Sequence, residues 1–297
     1  MAAALIDGIA IAHELYAGLK ERVKALAGRG VHPGLAAILI GDNPASEVYV
    51  RTKARACAEV GVRSVQHRRG ADSSESEIIG LIENLNADPA IHGILVQLPL
   101  PAHLNSERIL QAIAAAKDVD GFNWCNLGAL VAGQPRFAPC TPLGVMTMLE
   151  REKIAVEGRT AVVIGRSVIV GKPMALMLIA GGATVTVCNS KTRELREYTS
   201  RADILVAAAG RPGLVQGSMV KPGAVVIDVG INRLPDGKLV GDVDFASASQ
   251  VASRITPVPG GVGRMTVAML IANTVTAAER HCVRSPGGKI WNVVPAP

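Results

Sequence analysis

Apolar residues are arranged along this chain in two alternating ways, as short unbroken runs and as longer stripes at helical spacing. Ile11, Leu15, Leu19, Val23 and Leu26 form one such stripe and predict a first helix. Gly34 to Ile40 is an unbroken apolar run, as expected of a strand buried on both faces, and it ends at Gly41-Asp42-Asn43-Pro44. Asn43 there can cap, and Pro44 can open, a second helix that runs to about Val60. Ser74 and Glu77 stand at capping-box spacing ahead of Ile78, Leu81, Ile82 and Leu85, which predicts another helix. Gly93 to Leu98 is a second buried strand, closed by Pro99 and Pro101. Strand and helix in alternation imply a parallel sheet with helical cover.

The turn-rich stretch Gly133 to Pro142 reads as the crossing into a second domain. A new series follows, with strands predicted at Thr160–Ile164, Thr184–Cys188, Ile204–Ala208 and Ala224–Val229. Helical periodicity returns from Val262 to Arg280, at Met265, Met269, Ala272 and Val275, and this late helix would lead back to the first domain. The expected fold is therefore α/β with two domains. The first covers 1–138, completed by a C-terminal helix over about 265–297, and the second covers 139–264. The Gly- and Pro-rich end, Ser285 to Pro297, is expected to pack loosely.

Composition narrows the function. The 297 residues are 49% hydrophobic with 31 glycines and only two Trp, three Tyr and three Phe, which suits aliphatic α/β cores. The net charge of +6 is scattered, with no basic run beyond His67-Arg68-Arg69 and no interleaved aromatics, so nucleic acid is not an expected partner. Five cysteines, none in a C-x-x-C pair, argue against a disulfide framework or zinc ribbon and for a reducing, cytoplasmic setting. No secretory signal is readable, and no apolar run is long enough to span a bilayer.

The candidate chemistry falls in both halves. Ser46, Tyr49 and Lys53 lie on the second helix, with Tyr49 and Lys53 four apart and so on one face. Such pairs are common on solvated helices, but this helix starts at the carboxyl edge of a sheet, where open α/β folds bind ligands. Gln97 ends the next strand between Val96 and Leu98, and a buried amide there needs a partner such as a lysine ammonium. Lys117-Asp118-Val119-Asp120-Gly121 adds two acids. In the second half, an apolar strand runs into Gly165-Arg166-Ser167 and then Gly171-Lys172-Pro173, a turn that can present backbone N–H groups to a phosphate although G-x-G-x-x-G is absent. The next strand ends at Cys188-Asn189-Ser190-Lys191, without the acid that would hold an NAD ribose, so a dinucleotide site here would suit the 2′-phosphate of NADP. Pro257-Val-Pro-Gly-Gly-Val262 is a rigid turn ahead of a helix.

In order, Ser46-x-x-Tyr49-x-x-x-Lys53, Val96-Gln-Leu-Pro-Leu-Pro101, Lys117-Asp-Val-Asp-Gly121, Pro139-Cys-Thr-Pro142, Gly165-Arg-Ser167 with Val170-Gly-Lys-Pro173, and Pro257-Val-Pro-Gly-Gly-Val262 resemble the bifunctional methylenetetrahydrofolate dehydrogenase/methenyltetrahydrofolate cyclohydrolase family from about residue 4 to residue 282. The resemblance implies a folate-binding N-terminal α/β domain and a Rossmann-like parallel-sheet NADP-binding domain with a cleft between them, and a homodimer working in one-carbon metabolism and purine biosynthesis. It implies NADP-dependent oxidation of 5,10-methylenetetrahydrofolate and hydrolysis of the methenyl product to 10-formyltetrahydrofolate. On that pattern Lys53, Tyr49, Gln97 and Asp120 are catalytic. Ser46, Tyr49, Val96, Leu98, Asp120, Pro259, Gly260, Gly261 and Val262 touch the folate. Thr141, Gly165, Arg166, Ser167, Ser190 and Ile231 hold NADP, and no metal is needed. Two positions depart from the pattern: Arg264 stands where proline is usual, and Asn189 where histidine is common. A shikimate-dehydrogenase-like oxidoreductase and a non-enzymatic folate- or nucleotide-binding regulator are the alternatives. A short-chain dehydrogenase would share Tyr49-x-x-x-Lys53, but with its glycine turn upstream rather than downstream.

Overall fold

The computed structural model describes residues 2–284. In chain order it gives β1 (Ala4–Leu5), α1 (Gly8–Ala27), β2 (Gly34–Ile40), α2 (Pro44–Val60), β3 (Arg63–Arg69), α3 (Glu75–Ala87), β4 (Gly93–Val96), α4 (Ser106–Ala112), α5 (Trp124–Val131) and α6 (Cys140–Arg151). Then come β5 (Thr160–Ile164), α7 (Gly171–Ala180), β6 (Thr184–Cys188), α8 (Leu195–Thr199), β7 (Ile204–Ala207), β8 (Val225–Asp228), β9 (Asn232–Arg233), β10 (Leu239–Val240), α9 (Phe245–Ala248), β11 (Arg254–Ile255) and α10 (Val262–Arg284). The expected loose end at Ser285–Pro297 lies outside the described residues.

Two compact units emerge: Tyr16–Val119 with the described residues from Ile271 onward, and the first fifteen positions with Asp120–Leu270. These limits differ from 1–138 and 139–264 for local reasons. β1 pairs in parallel with β11, which takes the start of the chain into the second series' sheet. Gly121, at φ +79°, packs its Cα on the backbone of Ala138 and Pro139, leaving no room for a Cβ.

In the first unit the parallel sheet has the order β3-β2-β4, with Ala36 of β2 opposite Val65 of β3 and Ile94 of β4. β2 is buried throughout, as its unbroken apolar run requires. Ile38 and Ile40 pack with Ile78, Ile82 and Leu85 of α3 and with Val96 of β4. The capping box forms as expected: the Glu77 N–H donates to Ser74 Oγ at 3.3 Å, and the Ser74 N–H to Glu77 Oε2 at 2.7 Å. The basic run His67-Arg68-Arg69 turns out to be the end of β3, a mostly exposed edge strand. Charge along such an edge discourages pairing with another chain.

The second unit holds an all-parallel sheet in the order β1-β11-β8-β7-β5-β6. The chain leaves β5 for β6 on one side, then returns to lay β7 and β8 on the other. Strand order reverses at β5, and the crevice at its carboxyl end is where such sheets bind ligands. α6 begins at Cys140, inside the stretch read from sequence as a crossing; Pro142 is tolerated because first-turn N–H groups have no intrahelical acceptor.

Candidate functional site

In the first unit the strand-to-helix turn after β2 is built as its sequence suggests. The Ser46 N–H donates to Asn43 Oδ1 at 3.2 Å, so Asn43 caps α2, and Ser46 is buried at the helix start. Tyr49 and Lys53 follow on the same face, both half-buried. Val96 is the last residue of β4, and the next peptide N–H, that of Gln97, donates to the Ile38 carbonyl at 2.9 Å. This seats Gln97 in the core at 9% exposure. Its Oε1 accepts from the Lys53 ammonium at 3.0 Å, and its Nε2 donates to the Leu98 carbonyl at 2.7 Å. Leu98 is half-buried ahead of a cis bond to Pro99.

Gln97 therefore fixes the Lys53 side chain rather than merely lying near it. One turn on, the Cys57 thiol is buried and pushed up to about 12 by desolvation, against which the Lys53 charge pulls only in part. Cys57 stays a thiol and packs. Lys117, singled out with Asp118 and Asp120, is a structural clamp: its ammonium donates to the carbonyls of Leu85 (2.9 Å) and Asp88 (2.6 Å) at the end of α3. Asp118 is buried and bridges to Ile94, whereas Asp120 is half-buried and belongs to the second unit.

In the second unit Gly165 takes φ +130°, and a Cβ on it would overlap the Ala208 carbonyl; a Cβ on Gly171 would overlap the Gly165 carbonyl. The turn is thus glycine at both positions because β5, the segment after β7 and α7 converge there. Ser167 Oγ accepts from the Val170 and Gly171 N–H groups at 3.1 and 3.3 Å, so it organises the start of α7. Arg166 and Ser190 are exposed. Asn189 is spent on the turn itself, accepting from the Lys191 N–H at 3.0 Å, which leaves Ser190 and Lys191 displayed at the end of β6. Thr141 Oγ1 pairs with Thr266 Oγ1 at 3.0 Å. Ile231 is 44% exposed. In the 257–262 turn the Val258–Pro259 bond is cis and Gly260 has φ +110°. Gly261 and Val262 are buried, and Gly8 of α1 packs directly on the Gly261 carbonyl. Arg264 is exposed, its N–H donating to the Gly261 carbonyl at 3.1 Å.

The donor set at this edge fits a phosphorylated dinucleotide. It combines a glycine turn before a helix, a cationic Arg166 and Lys191, a hydroxyl at Ser190, and no acid among residues 188–192 to repel a 2′-phosphate. A separate cavity of about 320 Å³ opens at the opposite, amino edge of the same sheet, beside the Lys221–Asp203 ion pair (2.6 Å); it touches none of these residues. Among the described residues no cluster of His, Cys, Asp or Glu can hold a metal, and no helix is long and apolar enough to cross a membrane.

Two further buried carboxylates stand in the second unit, Asp228 and Asp242. They are 4% and 0% exposed and receive several backbone N–H groups each. Their signal was available as an acid beside a glycine on either side of a short hairpin, Asp228-Val-Gly230 and Gly241-Asp242.

Comparison with known proteins matches residues 6–120 to the tetrahydrofolate dehydrogenase/cyclohydrolase catalytic domain and 139–282 to the NAD(P)-binding domain of the same family. A "Bifunctional protein FolD" of Dechloromonas aromatica is 62% identical over 280 residues, 94% of this chain and 99% of that one. The bifunctional FolD structure from Campylobacter jejuni is 51% identical with a TM-score of 0.92, covering 94% and 99% of the two chains. That of Trypanosoma brucei, complexed with NADP cofactor and inhibitor, is 40% identical with a TM-score of 0.92, covering 96% and 100%. Shikimate dehydrogenase from Aquifex aeolicus shares the fold alone, at 15% identity and a TM-score of 0.50 over 85% and 98%.

Proposed function

Because the chain belongs to the tetrahydrofolate dehydrogenase/cyclohydrolase family, we propose that it oxidises 5,10-methylenetetrahydrofolate with NADP⁺ and hydrolyses the methenyl product to 10-formyltetrahydrofolate. The observation that carries this reading is the 3.0 Å bond from Lys53 to a buried Gln97. A regulator that only bound folate would have no need to hold a lysine ammonium in place with a desolvated amide.

NADP⁺, when bound, supplies the hydride acceptor. Gly165, Arg166, Ser167 and Ser190 are the groups that would hold it, with Thr141 and Ile231 beside them, and their part is placement. Loss of hydride from the methylene carbon leaves a cation shared between two nitrogens, so the step asks for alignment more than for a strong base. Hydrolysis asks for proton movement. Water adds to the methenyl carbon and loses one proton to give a neutral carbinolamine. The remaining hydroxyl proton leaves as the carbon–N5 bond breaks and the formyl C=O forms, and N5 takes up a proton, so that one proton is released net. Lys53 Nζ, oriented by Gln97 and flanked on its helix face by Tyr49, gives and takes the proton at that centre. On the family's pattern Asp120 is assigned to the pterin ring; Ser46, Val96 and Leu98 of the first unit are assigned to folate, as are Pro259 to Val262 of the second.

The same reading puts the enzyme in the cytoplasm, where it supplies formyl groups for purine biosynthesis. All five cysteines are free thiols, in keeping with a reducing compartment. It also expects a homodimer: β6 is a sheet edge that leaves Val187 40% exposed. Sedimentation of the purified chain reads that mass directly. The catalytic reading is tested by separating the half-reactions. Methenyltetrahydrofolate alone is hydrolysed without cofactor, and methylenetetrahydrofolate yields NADPH with NADP⁺ far better than NADH with NAD⁺. Failure of either half removes that half from the assignment.

A further inference from the structure

Two buried carboxylates stand at the carboxyl ends of β7 and β8, outside every role assigned above. Asp242 is fully buried, and four donors converge on it. Its Oδ2 accepts from the N–H groups of Ala209 (2.6 Å) and Gly210 (2.9 Å), and its Oδ1 from the Arg211 N–H (2.9 Å) and from Asn232 Nδ2 (2.9 Å). An ionised carboxylate offers about four acceptor positions and no donor, so the set is complete only with Asp242 charged. Gly210 at φ +64° turns three successive N–H groups toward one point, the concave arrangement that elsewhere collects a phosphate. Here the anion is internal.

Asp228, at the end of β8, works beside it. Its Oδ1 accepts from the Gly230 and Asp242 N–H groups at 3.0 and 2.9 Å, and its Oδ2 from the Val243 N–H at 3.0 Å. The packing is reciprocal: a Cβ on Gly230 would overlap the Asp242 carboxylate, and one on Gly241 the Asp228 carboxylate. Together the two acids close the base of the β9–β10 hairpin, which carries Ile231 and Asn232 at its start, and tie that base to the 209–211 segment. Residue 208 forms the wall against which Gly165 packs, its N–H bonded to the Ile164 carbonyl at 2.8 Å. Displacing the 209–211 segment therefore displaces one side of the glycine turn.

We propose that Asp242, supported by Asp228, is a positioning residue for the hydride step: it holds the segments after β7 and β8 in the shape that receives the nicotinamide dinucleotide and takes no part in hydrolysis. This rests on the dehydrogenase reading given above. Asp242→Asn puts an N–H where only acceptors fit and opposes at least one of the four donors. The KM for NADP⁺ should rise at least about tenfold, as expected for losing a charge-assisted bond. Cofactor-free hydrolysis of methenyltetrahydrofolate should stay at the wild-type rate. Asn232→Ala removes one donor, leaves the carboxylate intact, and should raise the same KM by a smaller factor.

Wild-type protein without NADP⁺-dependent activity would overturn the dehydrogenase reading itself. With an active wild type, an unchanged NADP⁺ KM in folded Asp242→Asn, or parallel loss of both activities, overturns the positioning role alone. Should Asp242→Asn not fold, Asn232→Ala decides by the same two readings.

Discussion

Replacing Lys53 with Met keeps most of the aliphatic stem and removes the ammonium. Two consequences can be sized. Gln97 Oε1 loses its 3.0 Å donor while the residue remains 9% exposed, and an unmet buried acceptor costs roughly 1–3 kcal/mol. The variant should thus unfold at lower urea but remain folded without denaturant. Loss of a positioned acid–base group costs about a hundredfold or more in rate, equivalent to raising the barrier by about 2.7 kcal/mol. Hydrolysis of methenyltetrahydrofolate, followed by loss of its absorbance, should fall by that factor. Affinity for NADP⁺ should hold, because Gly165, Arg166 and Ser190 belong to the other compact unit. Near-normal hydrolysis in a folded Lys53→Met protein would refute the assignment, and a large loss of NADP⁺ affinity would show that the damage was not local.

Three further outcomes follow from other parts of the molecule. Arg166→Ala should narrow the preference for NADP⁺ over NAD⁺ by about tenfold or more, the worth of a charge-assisted bond to the 2′-phosphate; an unchanged ratio of kcat/KM values would dismiss Arg166 as the discriminator. Arg264, exposed just after the 257–262 turn, is proposed to attract the folate's carboxylates. Arg264→Pro should then raise the folate KM by less than about fivefold, the scale of an exposed ionic contact under 1 kcal/mol, and flatten the salt dependence of kcat/KM, whereas identical salt slopes would leave Arg264 a bystander. The buried His92 ring, whose Nδ1 accepts the Gly34 N–H at 3.1 Å, has its pKa lowered to about 4 by burial and by the charges of His281 and Lys117, with Asp88 opposing. A lowered histidine pKa favours the neutral form in the folded state, so its contribution is whole above about pH 6.5 and is lost as pH falls toward 4, about 2 kcal/mol of it by pH 5. His92→Asn, which can keep an acceptor for Gly34, should therefore lose less stability than wild type between pH 7 and pH 5 in urea titrations; equal losses would exclude His92 as the source.

What could be read from the sequence was whatever left a local signature. The stripe Ile11, Leu19, Val23 and Leu26 is buried along α1, and Ser74 with Glu77 closes the capping box, because helical period and cap chemistry are written within a few residues. Lys53 and Gln97 are both legible at one sheet edge, because each follows an apolar strand, and they bond there at 3.0 Å. β3 is not legible in the sequence, because an edge strand spelled Arg-Ser-Val-Gln-His-Arg-Arg buries almost nothing and so carries no apolar alternation. β1 and β11 are two residues each, and only pairing with their sheet neighbours, β1 with β11 and β11 with β8, makes them strands. Asp228 and Asp242 are hard to single out because all their partners but the Asn232 amide are backbone N–H groups, and an acid beside a glycine is their whole signature in the sequence.

The central claim is that one chain performs both steps in sequence. The measurement that bears on it most directly is a single time course of purified protein with 5,10-methylenetetrahydrofolate and NADP⁺, recording NADPH, the methenyl chromophore and 10-formyltetrahydrofolate together. A methenyl signal that rises and then decays is expected, with one NADPH formed for each 10-formyltetrahydrofolate at completion. NADPH without 10-formyl product beyond the spontaneous rate, or no NADPH at all, would contradict it.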